Sequence, residues 1–97
     1  MKEKVAINEV DCGQLCKALV AGGDLDGAFE VVVLMRDRWK IRLNAQLCVL
    51  LLSGCTRLGN LERGKEIHFE IVKNGIAVNH FLGSMLISMY SKLQVGL

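Results

Sequence analysis

Residues 51–93 read LLSGCTRLGNLERGKEIHFEIVKNGIAVNHFLGSMLISMYSKL: a helix, a tight turn, a second helix, a loop and a third helix. Leu47, Leu50, Leu51, Gly54, Cys55 and Leu58 recur at three-and-four spacing, which predicts one buried helical face. Phe81, Leu82, Met85, Leu86, Met89, Tyr90 and Leu93 repeat that pattern. Between them Leu61, Gly64, Ile67, His68, Ile71 and Val72 form the apolar stripe of another helix, with Glu62, Arg63, Glu66, Glu70 and Lys73 facing out. Asn60 stands where an N-cap belongs, and Gly75 where a helix closes in a left-handed turn.

The same signals occur upstream. Gly23-Asp24-Leu25-Asp26-Gly27-Ala28 matches Gly59-Asn60-Leu61-Glu62-Arg63-Gly64 at an offset of 36, from 23 to 59. Ile7-Asn8, Leu43-Asn44 and Val78-Asn79 each set an aliphatic residue and an asparagine before a helical pattern, at offsets of 36 and 35. Leu51, Ser53 and Leu58 match Leu86, Ser88 and Leu93 at an offset of 35. Three alignments agreeing within one residue indicate a repeated supersecondary unit.

The upstream copies are also helical. Cys12, Leu15, Cys16 and Leu19 form one stripe, and Leu25, Ala28, Phe29, Val32 and Met35 the next, with Asp24 as N-cap. Val31-Val32-Val33 is a poor helix former alone, but the repeat register requires a helix there. The expectation is five helices, at 9–21, 25–38, 45–57, 61–74 and 80–93, and an all-α fold. They divide into units 9–44, 45–79 and 80–97, the last holding only its first helix, about 2.5 repeats in all. Such stacks reach stability with about three units, so the chain reads as truncated, a fragment of something longer.

Composition narrows the class. Of 97 residues, 52% are hydrophobic, 5% aromatic and none proline, which suits one small, aliphatic-packed helical domain. Net charge is +2 with both signs interspersed, so a polyanion would have to be met by a local stripe of cations. Cys12 and Cys16, and Cys48 and Cys55, fall on single helical faces, where a thiol acts as a small core residue. Without a CxxC, and with His68 and His80 out of zinc-finger register, neither a metal nor a cofactor is expected. A reducing compartment follows. The N-terminal MKEKVAINEV mixes charges and resembles neither a secretory signal nor a transit peptide. The longest apolar runs are too short to span a bilayer, so no membrane partner is expected.

A period of 35 to 36 exceeds the 34 of tetratricopeptide repeats, and Trp39 lies in a loop, away from that family's pattern. Period and motifs together resemble the pentatricopeptide repeat family of plants over about residues 8–94. LLSGCTRLGNLERGKEIHFEIVKNGIAVN is similar to its long variant, HFLGSMLISMYSKL to the start of its short variant, and CKALVAGGDLDGAFEVVVLMRDR to an ordinary unit. The resemblance implies a right-handed α–α solenoid that binds single-stranded RNA, one nucleotide per repeat, in mitochondrial or chloroplast RNA processing (editing, splicing, stability or translation). Further repeats or RNA-processing proteins are the other partners it implies.

Carried over by position, the resemblance places Gly13 and Asn44, Val49 and Asn79, and Ser84 facing bases. Val10, Gln46 and Phe81 would flank them, and Arg57 and Lys92 would face the RNA backbone. Only Ser84 has the polar side chain that the family prefers at its position, since Gly13 and Val49 cannot hydrogen-bond through a side chain. Each residue also has a plainer reading. Asn8, Asn44 and Asn79 suit helix capping, Ser84 a polar helix surface, Arg57 and Lys92 solvated charge. Phe81 fits the apolar core stripe better than a stacking platform, His68 reads as a packing residue, and His80 faces solvent. No catalytic triad spacing or phosphate-binding glycine loop occurs, so the chain is expected to be no enzyme. The alternative to RNA binding is a protein-interaction solenoid whose apolar ends and second helices dock another subunit.

Overall fold

The computed structural model describes residues 9–93, with side chains from residue 11 onward; the expected cap Asn8 lies outside the described residues. It contains five α-helices and, among the described residues, no strand: α1 (Glu9–Ala21), α2 (Leu25–Asp37), α3 (Ala45–Leu58), α4 (Leu61–Lys73) and α5 (His80–Leu93). Each expected helix is present with ends within one residue.

The turns show why the chain breaks where it does. Asp24 N–H donates to the Leu19 carbonyl at 2.8 Å, and Asn60 N–H donates to the Cys55 carbonyl at 2.8 Å. Gly23 and Gly59 supply the left-handed residue of each turn, at φ 84° and 71°. Asp24 and Asn60 then cap α2 and α4 by accepting from Gly27 N–H at 2.9 Å and Arg63 N–H at 3.1 Å. Two hairpins therefore share one hydrogen-bond scheme, residue for residue, 36 positions apart.

The first helices form a row, α1 against α3 and α3 against α5, while α2 covers α1 and α3, and α4 covers α3 and α5. This is a two-layer all-α solenoid. Its core runs continuously through both layers, with Leu51, Leu52, Ile67, Ile71, Leu82 and Met89 among its fully buried side chains. Val31 and Val32 are buried in α2; their burial outweighs their weak intrinsic helix preference. The second helices α2 and α4 make no close backbone approach. Long side chains bridge them instead. Arg63 reaches Asp26 at 3.1 Å while lying 4.8 Å from the Phe29 ring centroid, and Arg36 reaches Glu70 at 3.0 Å.

Four expected stripe residues are not core. Leu15, Leu58, Val72 and Phe81 are exposed, Phe81 by 62%. A three-and-four pattern marks a stripe broader than the strip one neighbouring helix covers, so its edges remain in solvent.

All four cysteines are buried, and none forms a disulfide among the described residues. Burial pushes the Cys16 and Cys55 thiols up to about 11 and Cys48 to about 12. They stay protonated and serve as packing groups. No group of His, Cys, Asp and Glu among the described residues is arranged to hold a metal, and no helix is long and apolar enough to cross a membrane.

Candidate nucleic-acid interface

Two clefts lie along the row of first helices. The first, about 450 Å³, is lined by Gly13, Lys17, Asn44, Gln46, Leu47 and Leu50 among others. The second, about 300 Å³, is lined by Ala45, Gln46, Val49, Asn79, Phe81 and Leu82. Residues remote in sequence thus meet in two consecutive sets: Gly13 with Asn44, and Val49 with Asn79 and Phe81. Gln46 contributes to both. A β-carbon built on Gly13 would meet nothing within 4 Å, so the missing side chain is what opens the floor of the first cleft.

The asparagines sit there because the helices begin there. Asn44 accepts from Leu47 N–H at 2.8 Å, and Asn79 accepts from Leu82 N–H at 2.8 Å. A backbone amide can only donate, so Oδ1 is the accepting atom in each case and its orientation follows from chemistry. Capping consumes Oδ1 and leaves the two Nδ2 donors uncommitted. Capping and facing a ligand are therefore compatible roles of one side chain.

The remaining expected site residues separate. Val10 is in the first turn of α1, but its side chain lies outside the described residues. Ser84 is exposed on α5 and lines neither cleft. Phe81, expected in the core, instead walls the second cleft. Arg57 donates from its guanidinium to the Val20 carbonyl at 2.5 Å, as a second donor beside the Gly23 N–H that reaches the same oxygen at 3.0 Å. Lys92 is exposed in the last turn of α5 and forms no ion pair among the described residues.

Lys17 was not singled out from the sequence, yet it is the charged side chain of the first cleft. The available signal was its position one helical turn after Gly13 on the same face. Among the first helices, α3 and α5 contain no aspartate or glutamate while α1 has Glu9 and Asp11; α2 and α4 carry Asp26, Glu30, Asp37, Glu62, Glu66 and Glu70. His68 behaves as expected, as a packing residue. Its Nδ1 lies 2.9 Å from the Tyr90 hydroxyl, the rings meet edge to face at 5.6 Å, and the pair joins α4 to α5. His80 is exposed.

No protein-family model matches the chain. Among curated proteins, a pentatricopeptide repeat-containing protein of Arabidopsis thaliana is 38% identical over 63 residues, 65% of this chain and 14% of the relative. A second of that name, described as chloroplastic, is 32% identical over 75 residues, 75% of this chain and 9% of the relative. A third, also chloroplastic, is 33% identical over 85 residues, 88% of this chain and 14% of the relative. The chain thus spans between 9% and 14% of the length of these three Arabidopsis proteins.

Proposed function

Since the chain belongs to the pentatricopeptide repeat family, we propose that it binds single-stranded RNA along the row of first helices, as part of organellar RNA processing. The supporting observation is the pair of consecutive clefts, each gathering a first-helix residue and the asparagine that ends the same unit. Repeats that present one small set of side chains per base are a known solution for reading unstacked RNA. Gly13 with Asn44 and Val49 with Asn79 are the base-facing sets in this reading, and Ser84 is the first member of a third. Gln46 and Phe81 flank the bases, Phe81 offering an exposed ring on which a base stacks, an interaction worth about 1–3 kcal/mol. Val10 takes the same flanking position in the first unit. Lys92 contacts the backbone, with Lys17 and any Arg57 donor left over from Val20. The division into units 9–44, 45–79 and 80–97, of ordinary, long and short type, belongs to the same proposal, as does a mitochondrial or chloroplast location. Further repeats and RNA-processing proteins are the partners it implies besides RNA.

A filter-binding titration against organellar transcripts tests this. Affinity should fall steeply with salt, and Gly13→Asn, which meets open space, should add a hydrogen bond worth about 0.5–1.5 kcal/mol, roughly 2- to 10-fold for one base identity. Salt-insensitive affinity, indifferent also to changes at Asn79 and Ser84, would sink the reading.

The exposed apolar side chains Phe69 and Val72 on α4 and Ile87 on α5 favour a second reading, a protein-interaction solenoid. Size exclusion separates the two, since a protein module assembles without nucleic acid.

A further inference from the structure

The whole chain carries a net charge of only +2, yet the segment joining α2 to α3 concentrates cations. Arg36, in the last turn of α2, and Arg38, Lys40 and Arg42 beyond it occupy alternate positions. Beyond the helix the alternation is physical: Arg38, Lys40 and Arg42 are exposed, while Trp39, Ile41 and Leu43 are partly buried against the core. The apolar residues fasten the segment down and leave three cations in an outer row. Among the described residues, none of those three enters an ion pair. Lys40 and Arg42 also line a cleft of about 160 Å³, together with Arg36 and a single carboxylate, Glu70, which is already paired with Arg36.

Lys40 marks this segment as more than a basic linker. Its φ is 53°, in the left-handed region that L-residues avoid. The equivalent position in the next unit, just before Ile76 as Lys40 is before Ile41, is held by Gly75 at φ 65°. The backbone there favours glycine, and the first unit has a lysine. Strain of this kind is expected where the side chain serves something other than the fold. In the next unit Lys73, Gly75 and Ala77 stand at the positions of Arg38, Lys40 and Arg42, so one cation remains of the three.

Arg42 precedes Asn44 of the first cleft by two residues, about 7 Å of extended chain, and the cleft that Lys40 and Arg42 line shares Met35 with the first. We propose that Arg38, Lys40 and Arg42 bind successive phosphates of single-stranded RNA and hold its backbone beside the cleft formed by Gly13 and Asn44. The site rests on the RNA reading above and adds a sequence-independent anchor to it. A regular row of unpaired, exposed cations suits a flexible polyphosphate, whose charges repeat at each residue, better than a folded acidic surface.

The test uses the 97-residue chain with two probes of equal length, an ordinary oligoribonucleotide and an abasic ribose-phosphate oligomer. Wild type should bind both with a salt dependence steeper than that of Arg38→Gln/Lys40→Gln/Arg42→Gln by about 2 in log–log slope, at 0.7 per single-strand phosphate for three contacts. Lys40→Gly should raise the melting temperature while weakening abasic binding. A lysine serving only the fold would not separate those two readouts. Equal slopes for wild type and triple variant overturn the proposal, and so does a wild type that ignores the abasic probe. Displacement of the abasic oligomer by polyglutamate as effective as by RNA overturns the phosphate assignment. Identical wild-type binding of abasic and ordinary RNA supports the row while removing base reading by the clefts, so the two proposals fail separately.

Discussion

Gly64 and Met89 share one space: a β-carbon at position 64 would overlap the fully buried Met89 sulfur, so α4 approaches α5 only because residue 64 has no side chain. Gly54 plays the same part between α3 and α1, where a β-carbon would sit 2.7 Å from Cγ1 of Val20. The two sites differ in what must yield. Met89 is unbranched and adaptable, whereas Val20 is stiff at χ1. Gly54→Ala should therefore destabilise the chain by about 1–3 kcal/mol through overpacking, and Gly64→Ala by less. Denaturant titration measures both, and Val20→Ala should partly rescue the first but leave the second unchanged. Equal losses at the two positions would contradict this account of the helix approach.

Asn44 and Asn79 do two jobs in separable ways. Alanine at either position should cost about 1 kcal/mol through loss of the cap, read as a lower unfolding midpoint. Aspartate keeps the accepting oxygen and should hold stability near wild type while removing the Nδ2 donors. If RNA affinity is unchanged in Asn44→Asp and Asn79→Asp, the asparagines are caps alone.

Arg57 and Lys92 are equivalent in sequence and unequal in structure. Arg57→Ala strips a charged donor from the Val20 carbonyl, which keeps the Gly23 N–H, and should destabilise by about 1 kcal/mol. Lys92→Ala, at an exposed and unpaired position, should stay within about 0.5 kcal/mol of wild type. Thermal melts of the two variants decide the matter, and matching stabilities would remove the structural role given to Arg57.

The buried thiols set an alkaline limit. Their folded-state values of about 11, 12 and 11 for Cys16, Cys48 and Cys55 lie above the ordinary thiol value. The unfolded chain therefore loses these protons first as pH rises. Stability from this source is fully present below about pH 8.5, and is lost from there up to the folded values. The loss is at most on the order of 1 kcal/mol per pH unit for each thiol. Melting temperature should fall steadily above pH 9, and more shallowly in Cys48→Ala once its own packing loss is subtracted at pH 7. A flat profile between pH 8 and 11 would contradict the burial of these groups.

Most of the fold was legible in local chemistry. Helix ends were readable because Asp24, Asn44, Asn60 and Asn79 cap them and Gly23, Gly59 and Gly75 close them, and those effects act within four residues. The apolar stripes located the core in outline. Their margins were not legible, because whether Phe81 or Val72 is covered depends on how far a neighbouring helix reaches.

The candidate site was legible only through the family resemblance. That resemblance pointed to Gly13, Asn44, Val49 and Asn79, but could not show that they meet in two clefts or that Ser84 stands outside both.

The sequence by itself determined the helices, their boundaries and the repeat, since each follows from spacing and capping along the chain. Only the tertiary structure decided which residues share a cleft, that Arg57 is engaged by Val20, and that Gly54 and Gly64 are points of contact. Those facts arise from the separation and angle between helices, which side chains far apart in the chain set jointly. Residues 51–93 carry the pattern of the fold, and α1 and α2 packed against them supply half of its first cleft.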